Sequence, residues 1–363
     1  MIRLSLLFLV MLNTAFCQVE NRASVELVER IDLKEVIKPG RKVLEAAGKF
    51  YVLSGYSVYC FDEEGQLLGT FGSRGTGPGE FVGVRDFLVT PIGQVLVGGW
   101  TAGNKGKISI FDQDGIHLKD HVVPYMVNQV FFHAGRLFFT TRDVVFHSLK
   151  NKHDRFDHLT LDLFEVGDPE PILTLPDKSQ INPPHFSGKA YPFPWFAGPY
   201  PNSIFILNLD GDFFVFQGKK EFIVKLHGGI KTEIPFQFAL PKTTVTKEDI
   251  QKYFDRIESV NELKIKETIK RKIEFPTMKN SFSSVRLWDR KFVLFRKESL
   301  MVISPDGELL AKVQTPIEFI EHEDQANGNR LGPICLSKDF VYALSDDGVL
   351  SKYKWPIMSQ HID

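Results

Sequence analysis

A hairpin turn that recurs roughly every 50 residues constrains this chain more than any other feature. Tyr59-Cys-Phe-Asp-Glu-Glu-Gly65-Gln-Leu-Leu68 compares with Ser109-Ile-Phe-Asp-Gln-Asp-Gly115-Ile-His-Leu118, and Leu300-Met-Val-Ile-Ser-Pro-Asp-Gly307-Glu-Leu-Leu310 is a third copy. In each, an apolar strand ends at an acidic residue, a glycine supplies a positive φ, and a second apolar strand returns. Leu163–Gly167 and Val224–Gly229 are weaker copies. Such spacing matches the blades of a β-propeller, four antiparallel strands each with strand a innermost and strand d outermost.

On that template, blade one covers 43–72, blade two 84–123 and blade three 126–175, with a polar insertion near 147–157. Blade four covers 203–237 and blade five 282–315. Residues 332–355 supply only three strands, and the alternating segment Val25–Leu33 is available as the fourth. Pairing it with the last blade closes the ring and removes an open sheet edge. The expected fold is therefore all-β, a six-bladed β-propeller closed by its N-terminal strand; two separate β-domains are the alternative. Phenylalanine is abundant, 32 residues against 9 Tyr and 4 Trp, as suits twisted sheets packed face to face.

Residues 246–272 differ. Ile250, Tyr253, Phe254 and Ile257 follow i, i+3, i+4, i+7, which predicts a helical insertion between blades four and five with one apolar face. Thr246 and Asp249 stand in capping-box order. The basic excess over 262–272 reads as a solvated face, with a partner-binding patch as the alternative.

The N-terminus begins Met1-Ile-Arg3, continues as an apolar run from Leu4 to Leu12 and reaches small residues at Ala15 and Cys17. This predicts a signal peptide over 1–17 and a secreted or periplasmic product over 18–363. Cys17 as a lipid-bearing cysteine is the alternative, disfavoured by bulky Phe16; a buried N-terminal segment is another. No other run is apolar enough to cross a bilayer. Cys60 and Cys335 read as small buried hydrophobes, with a bridge between them as the alternative.

Phe71-Gly-Ser-Arg-Gly-Thr-Gly-Pro-Gly-Glu-Phe81, followed by Ile92–Val97 and Lys107–Gly115, resembles the inter-blade linker and blade of NHL-repeat and related bacterial six-bladed propellers. The resemblance spans about 45 residues and implies the fold rather than an inherited site. Val84-Arg85 stands where the family usually has proline, and Gly98-Gly99 where it usually has an acidic residue. Lys107 occupies a place often held by arginine.

Motifs for chemistry are sparse. H-E-x-x-H, G-x-S-x-G and C-x-x-C do not occur. In the linker, Glu80 takes the third glycine place of G-x-G-x-x-G; in Gly98–Lys105, Asn104 sits where a phosphate loop needs lysine. His117 and His121 lie about 13 Å apart on a strand, too far to share a metal simply. His147, His153 and His158 read as loop residues, and Asp210-Gly-Asp212 as a turn. A scattered metal site in the central channel, as in propeller hydrolases and lyases, would leave no local motif. Asp86 and Glu45 are the nearest candidate carboxylates, and both read equally as exposed edge charges. No catalytic residue, metal ligand or cofactor is assigned.

Charge placement says more. The c–d turns carry Asp62, Glu63, Glu64, Asp112, Asp114, Glu165, Asp168 and Asp306 without a Lys or Arg, so one face is expected to be negative, or the acids are simply turn formers. The opposite face, with the d–a linkers and b–c loops, carries Arg74, Arg85, Lys105, Arg142, Lys189, Lys219, Lys220 and Lys297, together with acidic Glu318, Glu321, Glu323 and Asp324. Residues 183–201 hold six aromatics and six prolines, either a contact segment or a cover over the seam between blades three and four.

These observations point to a non-enzymatic binding module that takes a protein segment or an anionic polymer on its linker-bearing face. Arg74, Arg85, Trp100, Arg142, Tyr191 and Trp195 are the candidate contacts. Lys+Arg and Asp+Glu are balanced, 44 against 45, so nucleic acid is not an expected partner. The alternatives are a channel-centred hydrolase or lyase and a structural surface protein.

Overall fold

The computed structural model describes residues 26–33, 40–144, 159–177, 204–261, 277–296, 299–314, 334–345 and 347–354. Among them are six four-stranded antiparallel sheets, the blades of a six-bladed propeller. Blade one runs outward from Lys42–Ala46 to Leu67–Phe71, blade two from Gly83–Val89 to His117–Val123, and blade three from Val127–His133 to Leu173–Asp177. Blade four runs from Ile204–Leu209 to Ile230–Pro235 and blade five from Ser284–Trp288 to Leu309–Gln314.

Blade six is assembled from both ends of the described chain. Strand β1 (Glu26–Asp32) pairs antiparallel with Val349–Lys354, with Asp32 opposite Val349 and Glu26 opposite Lys354. Leu33 N–H then donates to Gly348 O at 2.8 Å. The closure expected from the two incomplete chain ends is thus present. It covers the edge that Val349–Lys354 would otherwise expose.

The core lies in the seams between blades. Strand alternation sends one set of side chains to each neighbouring blade, so each seam has its own apolar cluster. Phe71, Phe81, Phe87 and Phe111 fill the seam between blades one and two. Phe214, Phe216, Phe282 and Phe292 fill that between four and five, with Phe216 and Phe292 edge-on at 4.9 Å between ring centroids. This is where the phenylalanine excess goes.

The insertion begins as helix α1 (Lys247–Asn261). Its cap is reciprocal: Thr246 N–H donates to Asp249 Oδ2 at 2.8 Å, and Asp249 N–H to Thr246 Oγ1 at 3.2 Å. Phe254 is buried, and Lys279 pairs with Asp249 at 2.6 Å. Residues 262–272 lie outside the described residues. Cys60 and Cys335 are both buried and free, on blades one and six.

Candidate functional site

The linker between blades one and two is held by a buried ionic clamp. Lys107 is 3% exposed. Its Nζ donates to Gly77 O at 2.6 Å and pairs with Asp120 at 2.7 Å. Asp120 also accepts from Ser109 Oγ at 2.6 Å and His117 Nε2 at 2.8 Å. Burial alone would raise the Asp120 pKa, but the bonds from Lys107, Ser109 and His117 outweigh it and hold the carboxyl below its usual value. Ser73–Arg74 lies parallel to Glu80–Phe81, with Phe81 fully buried beneath. The linker is therefore a fixed loop, and Arg74 projects from a rigid base.

Two arginines on this face are stacked on aromatic rings. The Arg74 guanidinium lies 5.4 Å from the Tyr56 ring centroid, and that of Arg85 lies 5.1 Å from the Trp100 centroid. Tyr56 comes from the b–c loop of blade one, and Trp100 ends strand b of blade two. Both rings therefore belong to the linker-bearing rim. Each stack contributes on the order of 0.5–1 kcal/mol at such exposed positions. Its larger effect is to hold a charge in a fixed orientation.

Local backbone explains why Arg85 faces outward. A bulge lies between Val84, opposite Gly99, and Asp86, opposite Gly98. The extra residue is Arg85, which is exposed, whereas Asp86 turns inward. Glycine at 83 makes room for the indole, because a Cβ there would lie 2.1 Å from Trp100 Cζ2. At Gly98 a Cβ would lie 2.6 Å from Val130 Cγ1. The acidic residue usual there in NHL-type blades would not fit against blade three.

Neighbouring positions extend the patch. Arg41 donates to Gly55 O beside Tyr56. Lys105 is exposed at the b–c loop of blade two. Val82, Val122 and Tyr125 are exposed apolar side chains on the same rim. Glu80 is turned back to accept Gly77 N–H at 2.9 Å. The backbone of Arg142 lies near the linker-side end of strand b in blade three, opposite Leu161. Tyr191 and Trp195, with the whole segment 183–201, lie outside the described residues, as do 1–17.

The other rim is different. Asp62 Oδ1 accepts Gln66 N–H at 2.7 Å, and Asp112 Oδ1 accepts both Asp114 and Ile116 N–H, at 3.0 and 2.8 Å. These acids close their own turns. Glu165 pairs with Arg136, and Asp212 pairs with Lys225 at 2.8 Å. Glu29, Glu45, Glu63 and Glu64 border a cleft of about 350 Å³ between blades six and one, walled by Phe50, Phe340 and Tyr342, with Lys352 among them.

In the central channel, Asp86 is not an exposed edge charge. It is 8% exposed. One oxygen takes Lys42 Nζ at 2.7 Å from blade one, and the other takes Val130 N–H at 2.9 Å from blade three. Asp86 thus ties three inner strands together. Glu45 points toward the turn rim, where its carboxylate accepts Gly48 N–H at 3.2 Å. Sequence reasoning paired these two as channel carboxylates and missed Arg286 on the inner strand of blade five. Among the described residues, no three His, Cys, Asp or Glu side chains converge as a metal site, and no helix is long and apolar enough to cross a membrane.

No family model and no curated protein matches this chain. Solved structures do. A Bacteroides fragilis protein assigned to export is similar at a TM-score of 0.51 and 14% identity, covering 93% of this chain and 97% of that one. Virginiamycin B lyase from Staphylococcus aureus is similar at a TM-score of 0.44 and 12% identity, over 92% and 100%. BamB from Moraxella catarrhalis is similar at a TM-score of 0.40 and 9% identity, over 91% and 100%. At these identities the likeness speaks for the fold alone, and the two weaker ones carry no argument about this chain.

Proposed function

We propose that this propeller is an exported binding module that takes an extended, acidic protein segment on its linker-bearing rim. The observation that carries the reading is the pair of stacks, Arg74 on Tyr56 and Arg85 on Trp100, on a rim where Glu80 is tied to the Gly77 amide and Glu221 to Lys242. The Arg74 guanidinium, held over its ring, presents N–H donors in a fork that suits a carboxylate, and the Arg85 stack adds a second oriented positive charge. Aromatic and arginine side chains on a rigid scaffold are the usual anchors of protein recognition. Arg142, Tyr191 and Trp195 extend the contact in this reading. Export rests on the N-terminal pattern of residues 1–17, and the NHL-like kinship rests on the linker resemblance.

Poly-L-glutamate is a suitable probe, with neutral poly-L-glutamine as control. The wild-type chain is expected to bind the acidic polymer with an affinity that falls as salt rises. Arg74→Glu combined with Arg85→Glu is expected to weaken binding at least tenfold with the fold intact by circular dichroism. Equal binding by that double variant would remove this rim as the site. Binding of heparin but not of poly-L-glutamate would replace the acidic segment with a sulfated polymer. The hydrolase or lyase alternative needs a set of converging groups in the channel, where Asp86 is already committed to Lys42 and Val130.

A further inference from the structure

The inner strand of blade five carries a half-buried cation with few protein partners. Arg286 sits on the inner strand of blade five, opposite Val293 in strand b. Among the described residues its guanidinium makes one hydrogen bond, Nη1 to Val285 O at 3.1 Å. A guanidinium carries five N–H donors, so four are left to whatever occupies the channel. Blades two and five face each other across a six-membered ring, and Asp86 on blade two is the acidic group whose charge acts on Arg286. That carboxylate is shared between Lys42 and the Val130 amide. Lys42, Asp86 and Arg286 together carry one net positive charge, while the nearby carboxylate of Glu45 is turned to the Gly48 amide. Cys335, on the adjoining blade six, accepts Glu45 N–H at 3.1 Å, and burial pushes its thiol up to about 11, so it is a neutral neighbour at physiological pH.

Burial pulls the Arg286 pKa down while Asp86 pulls it up, and an arginine in this half-buried position stays charged. Arg286 is half-buried, so its remaining donors face solvent in the channel, and an oxyanion can take the place of that solvent. The fork of two parallel N–H bonds suits one class of group above others, a planar carboxylate or a phosphate oxyanion.

We infer that the central channel is a second binding site, in which Arg286 anchors a single oxyanion group, carboxylate or phosphate, opposite the Asp86–Lys42 pair. The site is separate from the rim and does not depend on it. Its occupant is small or presents a narrow acidic tip, since blades on all sides line the channel.

Titration calorimetry on the purified full chain tests this, using citrate and inorganic phosphate as probes at constant ionic strength set with chloride. The wild-type chain is expected to bind at least one of them, and the preferred probe tells a carboxylate site from a phosphate site. Arg286→Gln is expected to bind at least tenfold more weakly. Arg286→Lys keeps the charge without the fork and is expected to fall between the two. Arg74→Glu, on the rim, is expected to bind like wild type. In chloride alone, Arg286→Gln is expected to melt no lower than wild type, because little protein structure depends on the guanidinium. Failure of the wild-type chain to bind either probe, unchanged binding in Arg286→Gln, or a large loss of stability in that variant would each overturn the inference.

Discussion

The two rims of this propeller use charge in opposite ways. On the turn-bearing rim, Asp62 and Asp112 accept amides of their own hairpins, and Glu165 and Asp212 are matched by Arg136 and Lys225. On the linker-bearing rim, Arg74 and Arg85 lean on Tyr56 and Trp100, and the support beneath them is the Lys107–Asp120 clamp. The contrast teaches that a run of like charges does not by itself mark a binding face. Asp in a tight turn satisfies backbone donors that a hairpin cannot reach otherwise. Arginine stacked on a ring is held in a fixed orientation.

The largest test of this contrast is the clamp. Asp120→Ala leaves Lys107 buried without its counter-ion and is expected to cost about 3 kcal/mol by urea denaturation, the low end for a broken buried pair because Asp120 is partly exposed. The pH dependence has a defined sign. The folded pKa of Asp120 lies below its usual value, so its contribution is complete above the unfolded value of roughly 4. It is lost as pH falls through the folded value. The stability gap between wild type and Asp120→Asn should therefore narrow below about pH 4. A gap that stays constant into acid would mean that the linker is held by something else.

Next in size is the seat of Trp100. Gly83→Ala places a methyl group against the indole and is expected to cost about 1–2 kcal/mol as an overpacked contact. It should also weaken poly-L-glutamate binding by displacing the ring under Arg85. Loss of stability with full binding would show that the stack is incidental to recognition.

The smallest effects belong to the turn rim, where two neighbouring changes should separate. Asp62→Ala removes the acceptor of Gln66 N–H and is expected to cost about 1 kcal/mol. Glu63→Gln with Glu64→Gln is expected to stay within about 0.5 kcal/mol, measured by thermal melting. Equal costs for the two would undo the division between turn-forming and merely surface acids.

Much of the architecture was legible in the residues. The turn at Gly65, Gly115 and Gly307 repeats because every c–d hairpin meets the same backbone requirement, and that requirement is local. The closure by Glu26–Asp32 was legible because an alternating strand without a sequence neighbour matched a blade lacking its outer edge. The reciprocal Thr246–Asp249 cap was legible for the same local reason. Arg74, Arg85 and Trp100 could be placed on one rim from strand order alone. Their pairing with Tyr56 and with each other could not, since it depends on a bulge and on a glycine that clears an indole. The roles of Asp86 and Arg286 were hidden. The partners of Asp86 lie 44 residues away in each direction, and the Asp86 charge reaches Arg286 only across the ring.

The amino-acid order alone determined the repeat, the number of blades, the meeting of the chain ends and the rim on which each loop emerges, because hairpin chemistry and strand alternation act over a few residues. The closed ring alone decided which charges are shared and which stay unmatched. Inner strands far apart in the chain come within bonding reach only when six blades surround one axis, and a single bulge there chooses whether a side chain faces solvent or the channel.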